Sequence, residues 1–441
     1  MILKMKNVKF YLIKIFFLDI VNFTSSSSNK ETLENLSYQH NQDFFQGNLI
    51  RFFPWPINLL NPTTKDPSSN EIEYEIQYDE VMKTDYLRRP GEEGLIYMKK
   101  DVIEKQRSVC SYLIKKIGSN LMKGKSIMNI SLPIDIFDAR SLLEQWVWQN
   151  GLSSEILELD ENTPAIEKLK YSTVFALSKF HLQGAPLKPF NPIIGETFQC
   201  KLNDSNYYLE QIAHHPPIFR FYAKGKKYKL FGFEEASAST GVNSLTVYYK
   251  GNFCIEYSDQ TQNVIIYPTL TFNGIIMGDR KSLFNDKLVV YDQRNNLISV
   301  VEFEKKTKKK LLGIIKSKVK STKFPDYFSG GIFKMSDFKI KQINNDLIND
   351  INDLDSKKKL CNIEGAFLDE IMFDDKVYYS FDNSVFPKFF RENFVLPSDS
   401  CYRKDEILFK MKEKELCQKY KILLEELQRK DYKLREKYKK K

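Results

Sequence analysis

Histidine is scarce in this chain, and its cysteines are far apart. Only 4 of the 441 residues are histidine, and the 6 cysteines include no C-x-x-C pair. Ligand spacing for a structural zinc is therefore missing, and a disulfide framework is not expected. This pattern favours a reducing, cytoplasmic environment, and we expect neither a metal nor a cofactor.

Long apolar runs are also lacking. Residues 1–23 form an apolar stretch, but Lys9, Lys14 and Asp19 interrupt it, so it is too short and too charged to span a bilayer comfortably. It is either a peripheral amphipathic segment or an unstructured start. A Ser-, Asn- and Pro-rich stretch follows, and we expect residues 1–100 to form a poorly ordered extension.

The charge balance does not require a nucleic-acid partner. The formal net charge of +10 is modest for 441 residues, and the lysine runs come with no zinc-finger or RNA-binding signature. A modestly basic chain suits an acidic membrane surface or a phosphorylated ligand. We therefore expect no nucleic-acid binding.

Aromatic residues are abundant, with 33 Phe and 24 Tyr, and they favour strands around an apolar interior. After Pro192 the chain shows short β-type runs separated by turn residues. Their spacing of roughly ten residues predicts a β-sandwich or a β-barrel. The predicted strands cover residues 207–212, 218–223, 228–233, 244–249, 253–257, 263–267 and 288–291.

Helical patterns flank this β-rich region. An amphipathic stretch covers residues 109–118, and Asp138 is the predicted N-cap of a helix that carries Trp146 and Trp148. A further helix is predicted over residues 163–181, and one long basic helix over residues 403–441.

Two of the four histidines, His214 and His215, are adjacent in the sequence EQIAHHPP at residues 210–217. Pro216 and Pro217 stiffen the backbone immediately after them. A rigidly held imidazole pair suits a phosphate, a metal or a proton transfer, and a buried structural pair is the alternative. Adjacent strand residues point to opposite faces, so both imidazoles reach one phosphate only if the backbone turns or bulges there.

A second motif, KPFNPIIGE, covers residues 188–196. Its prolines exclude a regular helix or a central strand, so Lys188 and Asn191 are predicted to lie on a stiff, irregular turn. Lys188 is then either a phosphate donor or part of a proline-stiffened connector.

Together these motifs resemble the hallmark sequences of the oxysterol-binding protein family, EQVSHHPP and KPFNPxLGE. The resemblance extends from about residue 108 to residue 429. It implies a lipid-binding domain over residues 101–435, with a mainly β fold that also contains α-helices. The implied architecture is a near-complete antiparallel β-barrel that encloses a lipid tunnel, with an N-terminal lid and helices and a C-terminal helical subdomain.

The resemblance also implies a headgroup site for phosphatidylinositol 4-phosphate, the family's common ligand. The matching positions in the two motifs are Lys188, Asn191, His214 and His215. A Lys-x3-Glu-x3-Arg array on the family's C-terminal helix matches Lys421, Glu425 and Arg429. Four-residue steps place these side chains on one helix face. Taken without the resemblance, the same spacing would be interpreted as a solvated salt-bridge ladder.

This chain departs from the family pattern beside the histidines. Ile212-Ala213 replaces Val-Ser and so removes a hydroxyl. The Ser that usually follows HHPPI is Phe219 here, followed by Arg220. The headgroup residues are kept, whereas the residues around them differ.

A lid over about residues 108–128 is also implied, because a carrier must hide the apolar part of a lipid from water. The alternative for this stretch is an ordinary packed helix. The expected lid or tunnel residues are Leu113, Ile117, Leu121 and Leu132. The second lipid is phosphatidylserine or a sterol, and residues 132–144 look more like the phosphatidylserine-handling branches of the family.

Residues 305–323 are rich in lysine around an apolar Leu-Leu-Gly-Ile-Ile centre and contain no acidic residue. Such a segment either binds an anionic membrane surface or forms a solvated loop. Its candidate membrane contacts are Lys308, Lys309, Lys310, Lys316 and Lys318.

The resulting expectation is a monomeric, non-enzymatic lipid-binding and lipid-transfer protein that is cytoplasmic and peripherally associated with membranes. It would exchange phosphatidylinositol 4-phosphate for the second lipid between membranes. The alternative is a phosphoinositide or sterol sensor, or a membrane-contact regulator, without net transfer. No nucleophile or carboxylate motif at recognisable spacing supports an enzyme.

Overall fold

The computed structural model describes residues 83–122, 131–186, 188–214, 216–303, 310–311, 314–315, 323–338, 354, 357–383, 389–390 and 395–439, with only the backbone at 113–122, 240, 310–311, 314–315, 389–390 and 439. The strands are β1 (Tyr86–Leu87), β2 (Leu95–Tyr97), β3 (Phe137–Ser141), β4 (Lys188–Phe190), β5 (Thr197–Leu202), β6 (Ser205–His214), β7 (Pro217–Lys224), β8 (Tyr228–Thr240), β9 (Ser244–Tyr257), β10 (Gln262–Ile266), β11 (Thr269–Asn273), β12 (Lys281–Asn285), β13 (Lys287–Asp292), β14 (Leu297–Phe303), β15 (Lys310–Leu311), β16 (Ile314–Ile315), β17 (Tyr327–Lys334), β18 (Cys361–Ala366), β19 (Glu370–Phe373), β20 (Lys376–Ser380) and β21 (Phe389–Phe390). The helices are α1 (Lys100–Met122), α2 (Leu142–Gly151), α3 (Ala165–Ser178), α4 (Phe180–Gln183), α5 (Lys404–Lys410) and α6 (Lys414–Lys439).

Seventeen strands form one antiparallel sheet. Strands β5 to β9 pair consecutively, and the 14-residue β9 then pairs with β11 through its first part and with β10 through its last part. From β10 the sheet continues through β13, β14, β17, β18 and β19 to β20, and from β11 through β12 and β2 to β1. The prediction of a mainly antiparallel β fold with helices is confirmed. Among the described strands, no pairing joins β1 or β20 to β5 or β21, so the hydrogen bonds do not close a barrel.

Strand β9 combines two predicted strands, 244–249 and 253–257. Gly251 lies between them with φ of 153° and pairs with Glu234 of β8. A Cβ at this glycine would lie 2.0 Å from the carbonyl oxygen of Phe233. The glycine therefore permits a close approach of two backbones inside a continuous strand instead of ending the strand.

The ordered fold begins before the boundary expected at residue 101. Strand β2 pairs with β12 through Leu95 and Ile96, and all three of its residues are buried. Such a short, fully buried strand has no alternation that a sequence pattern could reveal. The expected extension over residues 1–100 is therefore too long, and residues 1–82 lie outside the described residues.

Helix α2 is capped by Ser141 and not by Asp138. The hydroxyl of Ser141 accepts the N–H of Glu144 at 3.3 Å, whereas Asp138 lies in β3 and pairs with Arg140. The helix predicted over residues 163–181 is two helices, α3 and α4.

The core lies between the sheet and these helices. The rings of Trp146 in α2 and Phe221 in β7 are 4.3 Å apart between centroids. Phe180, which begins α4, stacks on Phe284 of β12 at 4.4 Å. Aromatic pairs of this kind contribute about 0.5–1.5 kcal/mol beyond the area that they bury. They fix the helices against the inner face of the sheet.

The helix predicted over residues 403–441 is also two helices, α5 and α6. Lys412 between them has φ of 64°, a left-handed conformation that ends a helix. The N–H of Lys412 donates to the carbonyl of Phe409, and the N–H of Glu413 donates to the carbonyl of Leu408, both at 2.9 Å. No glycine or proline marks this break, so no local signal predicted it.

The first half of α1 is packed against the domain. Ile103, Val109 and Cys110 are buried. The side chain of Gln106 donates to the carbonyl of Pro186 at 2.5 Å. The lid expected over about residues 108–128 therefore begins within α1, whose first half is packed against the domain. No helix in the described ranges combines the length and apolarity needed to cross a membrane.

Candidate functional site

The two sequence motifs are hydrogen-bonded to each other. The carbonyl of Gln211 accepts the N–H of Gly195 at 2.7 Å, and the N–H of Gln211 donates to the carbonyl of Glu196 at 2.9 Å. A register shift between Gln211 and Ala213 interrupts the β6–β7 ladder just before His214. Such a bulge re-aims the side chains that follow it.

His214 is the last residue of β6, where it is half-buried and lies opposite Pro217. His215 lies outside the described residues. The structure therefore positions one member of the pair at the start of the β6–β7 turn.

Lys188 begins β4, which pairs in parallel with β3, instead of lying on an irregular turn. Pro189 is tolerated because the ladder has only two strands, and both are edges. Lys188 is buried, at 7% exposure, and its Nζ donates to Oδ1 of Asn191 at 3.0 Å. The strand and the amide together hold the ammonium group in place.

Lys421, Glu425 and Arg429 lie along one face of α6. One oxygen of Glu425 accepts a hydrogen bond from Lys421, and the other accepts one from Arg429 at 3.3 Å. Nζ of Lys421 also donates to the hydroxyl of Ser131 at 2.9 Å. Side-chain exposure rises from 6% at Lys421 to 34% at Arg429. The array thus runs from the interior to the surface, and its carboxylate orients both cations.

The ring of Phe137 in β3 contacts both the lysine of the KPFNPIIGE motif and the lysine of the α6 array. Nζ of Lys188 is 4.7 Å from the ring centroid, and Nζ of Lys421 is 4.9 Å from it. The two nitrogens can therefore be no farther apart than the sum of these distances. Two buried ammonium groups held this close favour an anionic ligand between them.

Arg403, which the sequence analysis missed, joins the C-terminal helices to the KPFNPIIGE motif. Its Nη1 donates to the carbonyl of Asn191 at 2.8 Å and to Oε2 of Glu196 at 2.9 Å. Its Nη2 donates to Asp405 at 2.7 Å. Glu196 in turn accepts the N–H of Ile193 at 2.8 Å. The backbone that carries Asn191 is therefore fixed by one buried guanidinium.

The cluster around Arg403 contains more acidic than basic groups. Glu196, Asp405 and Glu406 all pair with this arginine within 3.2 Å. Burial raises the pKa of Glu196 and of Glu406, and the charge of Arg403 opposes this rise. Burial also opposes the charge of Arg403, but the carboxylates together raise its pKa above the usual value. The cluster depends on its single guanidinium.

A second polar group, also missed, lies in the interior beneath α2. Glu234 of β8 accepts the indole N–H of Trp146 at 3.2 Å. Nζ of Lys179 donates to Asn150 at 2.6 Å and lies 3.9 Å from the ring centroid of Tyr267. Burial lowers the pKa of Lys179 and raises that of Glu234. The apolar interior therefore contains a basic and an acidic group, and burial disfavours the charged form of both.

The structure describes only some of the remaining predicted site residues. Leu132 is fully buried, and Gln418 of α6 hydrogen-bonds to its carbonyl at 3.4 Å. The described residues place Leu113, Ile117 and Leu121 on α1 by backbone only. The backbone of Lys310 begins β15, whereas Lys308, Lys309, Lys316 and Lys318 lie outside the described residues. Within the ranges given above, no group of three His, Cys, Asp or Glu residues is arranged to hold a metal ion.

Comparison with known proteins defines the class. A family model described as Oxysterol-binding protein matches residues 116–441, a span that includes both motifs and the α6 array. This chain therefore belongs to the oxysterol-binding protein family, and the resemblance inferred from the motifs is confirmed.

Curated relatives agree with this assignment. Oxysterol-binding protein 9 of Dictyostelium discoideum is 35% identical over 337 residues, which cover 75% of this chain and 76% of the relative. Human oxysterol-binding protein-related protein 8 is 28% identical over 57% of this chain, but the match covers only 27% of the human protein.

Solved structures support the fold. The Osh3 ORD of Saccharomyces cerevisiae in complex with PI(4)P aligns with a TM-score of 0.51 and 17% identity, over 73% of this chain and 84% of that chain. The Osh1 ORD domain in complex with ergosterol aligns with a TM-score of 0.51 and 16% identity, over 71% and 78%. At these identities the similarity shows the β-rich fold alone.

Proposed function

We propose that this chain binds the headgroup of phosphatidylinositol 4-phosphate with residues from both sequence motifs and from α6. The proposed contacts are Lys188, Asn191, His214, His215, Lys421, Glu425 and Arg429. The observation that carries the proposal is the convergence of Lys188 and Lys421 on the ring of Phe137. Arg429 adds a guanidinium that can bind a phosphate with two parallel hydrogen bonds.

The charges in this site match the proposed ligand. Lys421 and Arg429 share one carboxylate, that of Glu425, and Lys188 adds a third positive charge at the ring of Phe137. A phosphomonoester with close to two negative charges near neutral pH would balance the excess. Glu425 would keep the cations oriented while the site is empty.

The lipid chains would lie in a tunnel along the inner face of the sheet, beneath a lid that includes the second half of α1. One lipid would be bound at a time, and phosphatidylinositol 4-phosphate would be exchanged for a second lipid between membranes. Phosphatidylserine and sterol are the two candidates. In the interior, the ammonium of Lys179 and the carboxyl of Glu234 offer a donor and an acceptor to a ligand that brings a hydroxyl group.

Membrane contact by the lysine-rich segment 305–323 is part of the same proposal. The carbonyl of Lys323 at its end accepts the N–H of Gly91 at 3.0 Å, which fixes the segment's end beside the loop between β1 and β2. Replacing Lys308, Lys309, Lys310, Lys316 and Lys318 with Gln is expected to weaken binding to anionic vesicles at low salt. Unchanged co-sedimentation would refute this contact.

Native mass spectrometry of the purified full chain, combined with lipid extraction, tests the proposal. We expect phosphatidylinositol 4-phosphate and one further lipid to bind in a mutually exclusive way. If neither lipid co-purifies or exchanges in, the proposed function is wrong. A vesicle-to-vesicle transfer assay then separates a transporter, which moves both lipids, from a sensor, which binds them without net transfer.

A further inference from the structure

Two strongly exposed apolar side chains lie at neighbouring loop tips. Val242 is in the β8–β9 turn and is 61% exposed, and Met277 is in the β11–β12 loop and is 63% exposed. Residues 239–244 contain no charged residue, and residues 274–279 contain only Asp279. We name these two side chains and their turns the apolar tips.

The apolar tips are built as one rigid unit. Oδ1 of Asn243 accepts the N–H of Ile276 at 2.7 Å and that of Met277 at 3.2 Å, and its Nδ2 donates to the carbonyl of Met277 at 2.9 Å. From the other side, Arg107 of α1 donates to the carbonyl of Gly274 at 3.2 Å and to that of Gly278. The backbone polar groups are thus bound inward, while the two apolar side chains stay in solvent.

The apolar tips lie at the same end of the sheet as His214. In the antiparallel ladder, Ile218 after the β6–β7 turn pairs with Glu235, and Asn273 before the β11–β12 loop pairs with Ser244. Strand β8 continues for five residues past Glu235 before it turns. At about 3.4 Å per residue, the tips extend roughly 17 Å along the strand beyond the β6–β7 turn.

We propose that Val242 and Met277 insert into the lipid bilayer that supplies the ligand. The inference rests on the proposed function. A protein that takes a lipid from a bilayer must bring the end of the sheet that holds the headgroup site to the bilayer surface. Narrow turns with a single charged residue, Asp279, enter a bilayer at a lower cost than a charged surface, since few charged groups approach the hydrocarbon. Protein interfaces instead centre on aromatic or arginine anchors in a broad patch, and the tips expose neither.

Tryptophan fluorescence tests the insertion. Vesicles of phosphatidylcholine with brominated acyl chains and phosphatidylinositol 4-phosphate quench only a tryptophan that enters the hydrocarbon. We expect Val242→Trp in the full chain to be quenched strongly. The matched control is Val377→Trp, because Val377 is an exposed valine on β20, at 44% exposure. It should show only the quenching of the native protein, whose own three tryptophans are Trp55, Trp146 and Trp148; the last two are buried.

A second variant measures the consequence for binding. Val242→Ser combined with Met277→Ser should lower the affinity for these vesicles by at least about tenfold, since each apolar side chain contributes several times the thermal energy on burial. Its affinity for soluble dioctanoyl phosphatidylinositol 4-phosphate should stay unchanged.

The inference is overturned if Val242→Trp is quenched no more than Val377→Trp. This result would mean that the protein either does not bind the vesicles or binds them by another surface. A protein partner would then be the better occupant of the tips. Failure of the wild-type chain to bind the soluble lipid would contradict the proposed headgroup site instead, because quenching reports insertion independently of that site.

Discussion

The ammonium nitrogens of Lys188 and Lys421 lie over the ring of one residue, Phe137, at 4.7 and 4.9 Å from its centroid. Lys188 belongs to the motif that precedes the long meander of strands, and Lys421 belongs to the C-terminal helix. Phe137 lies in β3, which pairs with the strand of Lys188. The proposed headgroup site therefore forms only when α6 packs against the β3–β4 ladder.

Replacement of both adjacent histidines should abolish phosphoinositide binding without unfolding the protein. In His214→Ala with His215→Ala, the bulge before His214 and the strand pairing remain, but the imidazoles that would contact the phosphate are gone. Binding of soluble dioctanoyl phosphatidylinositol 4-phosphate, followed by calorimetry, checks this. His40→Ala, outside every motif, is the control. Binding that survives the double replacement would remove the histidines from the site.

Arg429→Lys should weaken binding of the same lipid by about tenfold, because the charge is kept but the planar fork that grips a phosphate is lost. The control is Arg435→Lys on the same helix, where Arg435 pairs with Asp431 at 2.7 Å in the same four-residue spacing. Equal affinities of the two variants would show that Arg429 contributes only charge.

Arg403→Met should destabilise the fold by about 3–5 kcal/mol, because it leaves buried carboxyl groups without their cation. The partners are Glu196, Asp405 and Glu406. Urea unfolding measures the difference, and replacement of the exposed Arg294 by Met is the control. A loss close to that of the control would mean that the cluster is held by other contacts.

His181 makes stability depend on pH. Burial lowers the pKa of His181 from 6.5 to about 3, while its Nδ1 contacts the carbonyl of Ser178 at 2.8 Å. Between these pH values the unfolded chain binds a proton that the folded chain does not. The free energy of unfolding therefore falls as the pH is lowered through this window, by about 1.4 kcal/mol per pH unit from this group.

His181→Gln removes that dependence. Urea unfolding between about pH 4 and 6 gives the free energy of unfolding at each pH. Its slope against pH should be shallower in the variant than in wild type by the contribution of one proton, about 1.4 kcal/mol per pH unit. Parallel slopes for the two proteins would show that His181 does not titrate differently in the two states.

Local spacing predicted the parts of the site that lie on single elements. The four-residue steps from Lys421 to Arg429 gave one helix face, and the contacts of Glu425 with both cations follow from that spacing. The need for a bulge near His214 followed from the two-residue period of a strand, and a register shift lies beside it.

Contacts between distant segments could not be predicted in this way. Arg403 carries no periodic or motif signal, yet it binds Asn191 and Glu196 through the packing of α5. The interior partner Glu234 looks like one of many strand-surface acids until β8 is placed in the sheet. The break at Lys412 was hidden because a lysine, and not a glycine, takes the left-handed conformation there.

The most direct test is a double-mutant cycle on Lys188 and Lys421, measured as the affinity for soluble dioctanoyl phosphatidylinositol 4-phosphate. We predict that Lys188→Met and Lys421→Met each lower affinity by about tenfold or more. The combined loss should depart from the sum of the single losses by about 0.5 kcal/mol or more, because both groups contact one ligand. Wild-type affinity in either folded single variant, or additive losses, would contradict a shared headgroup site.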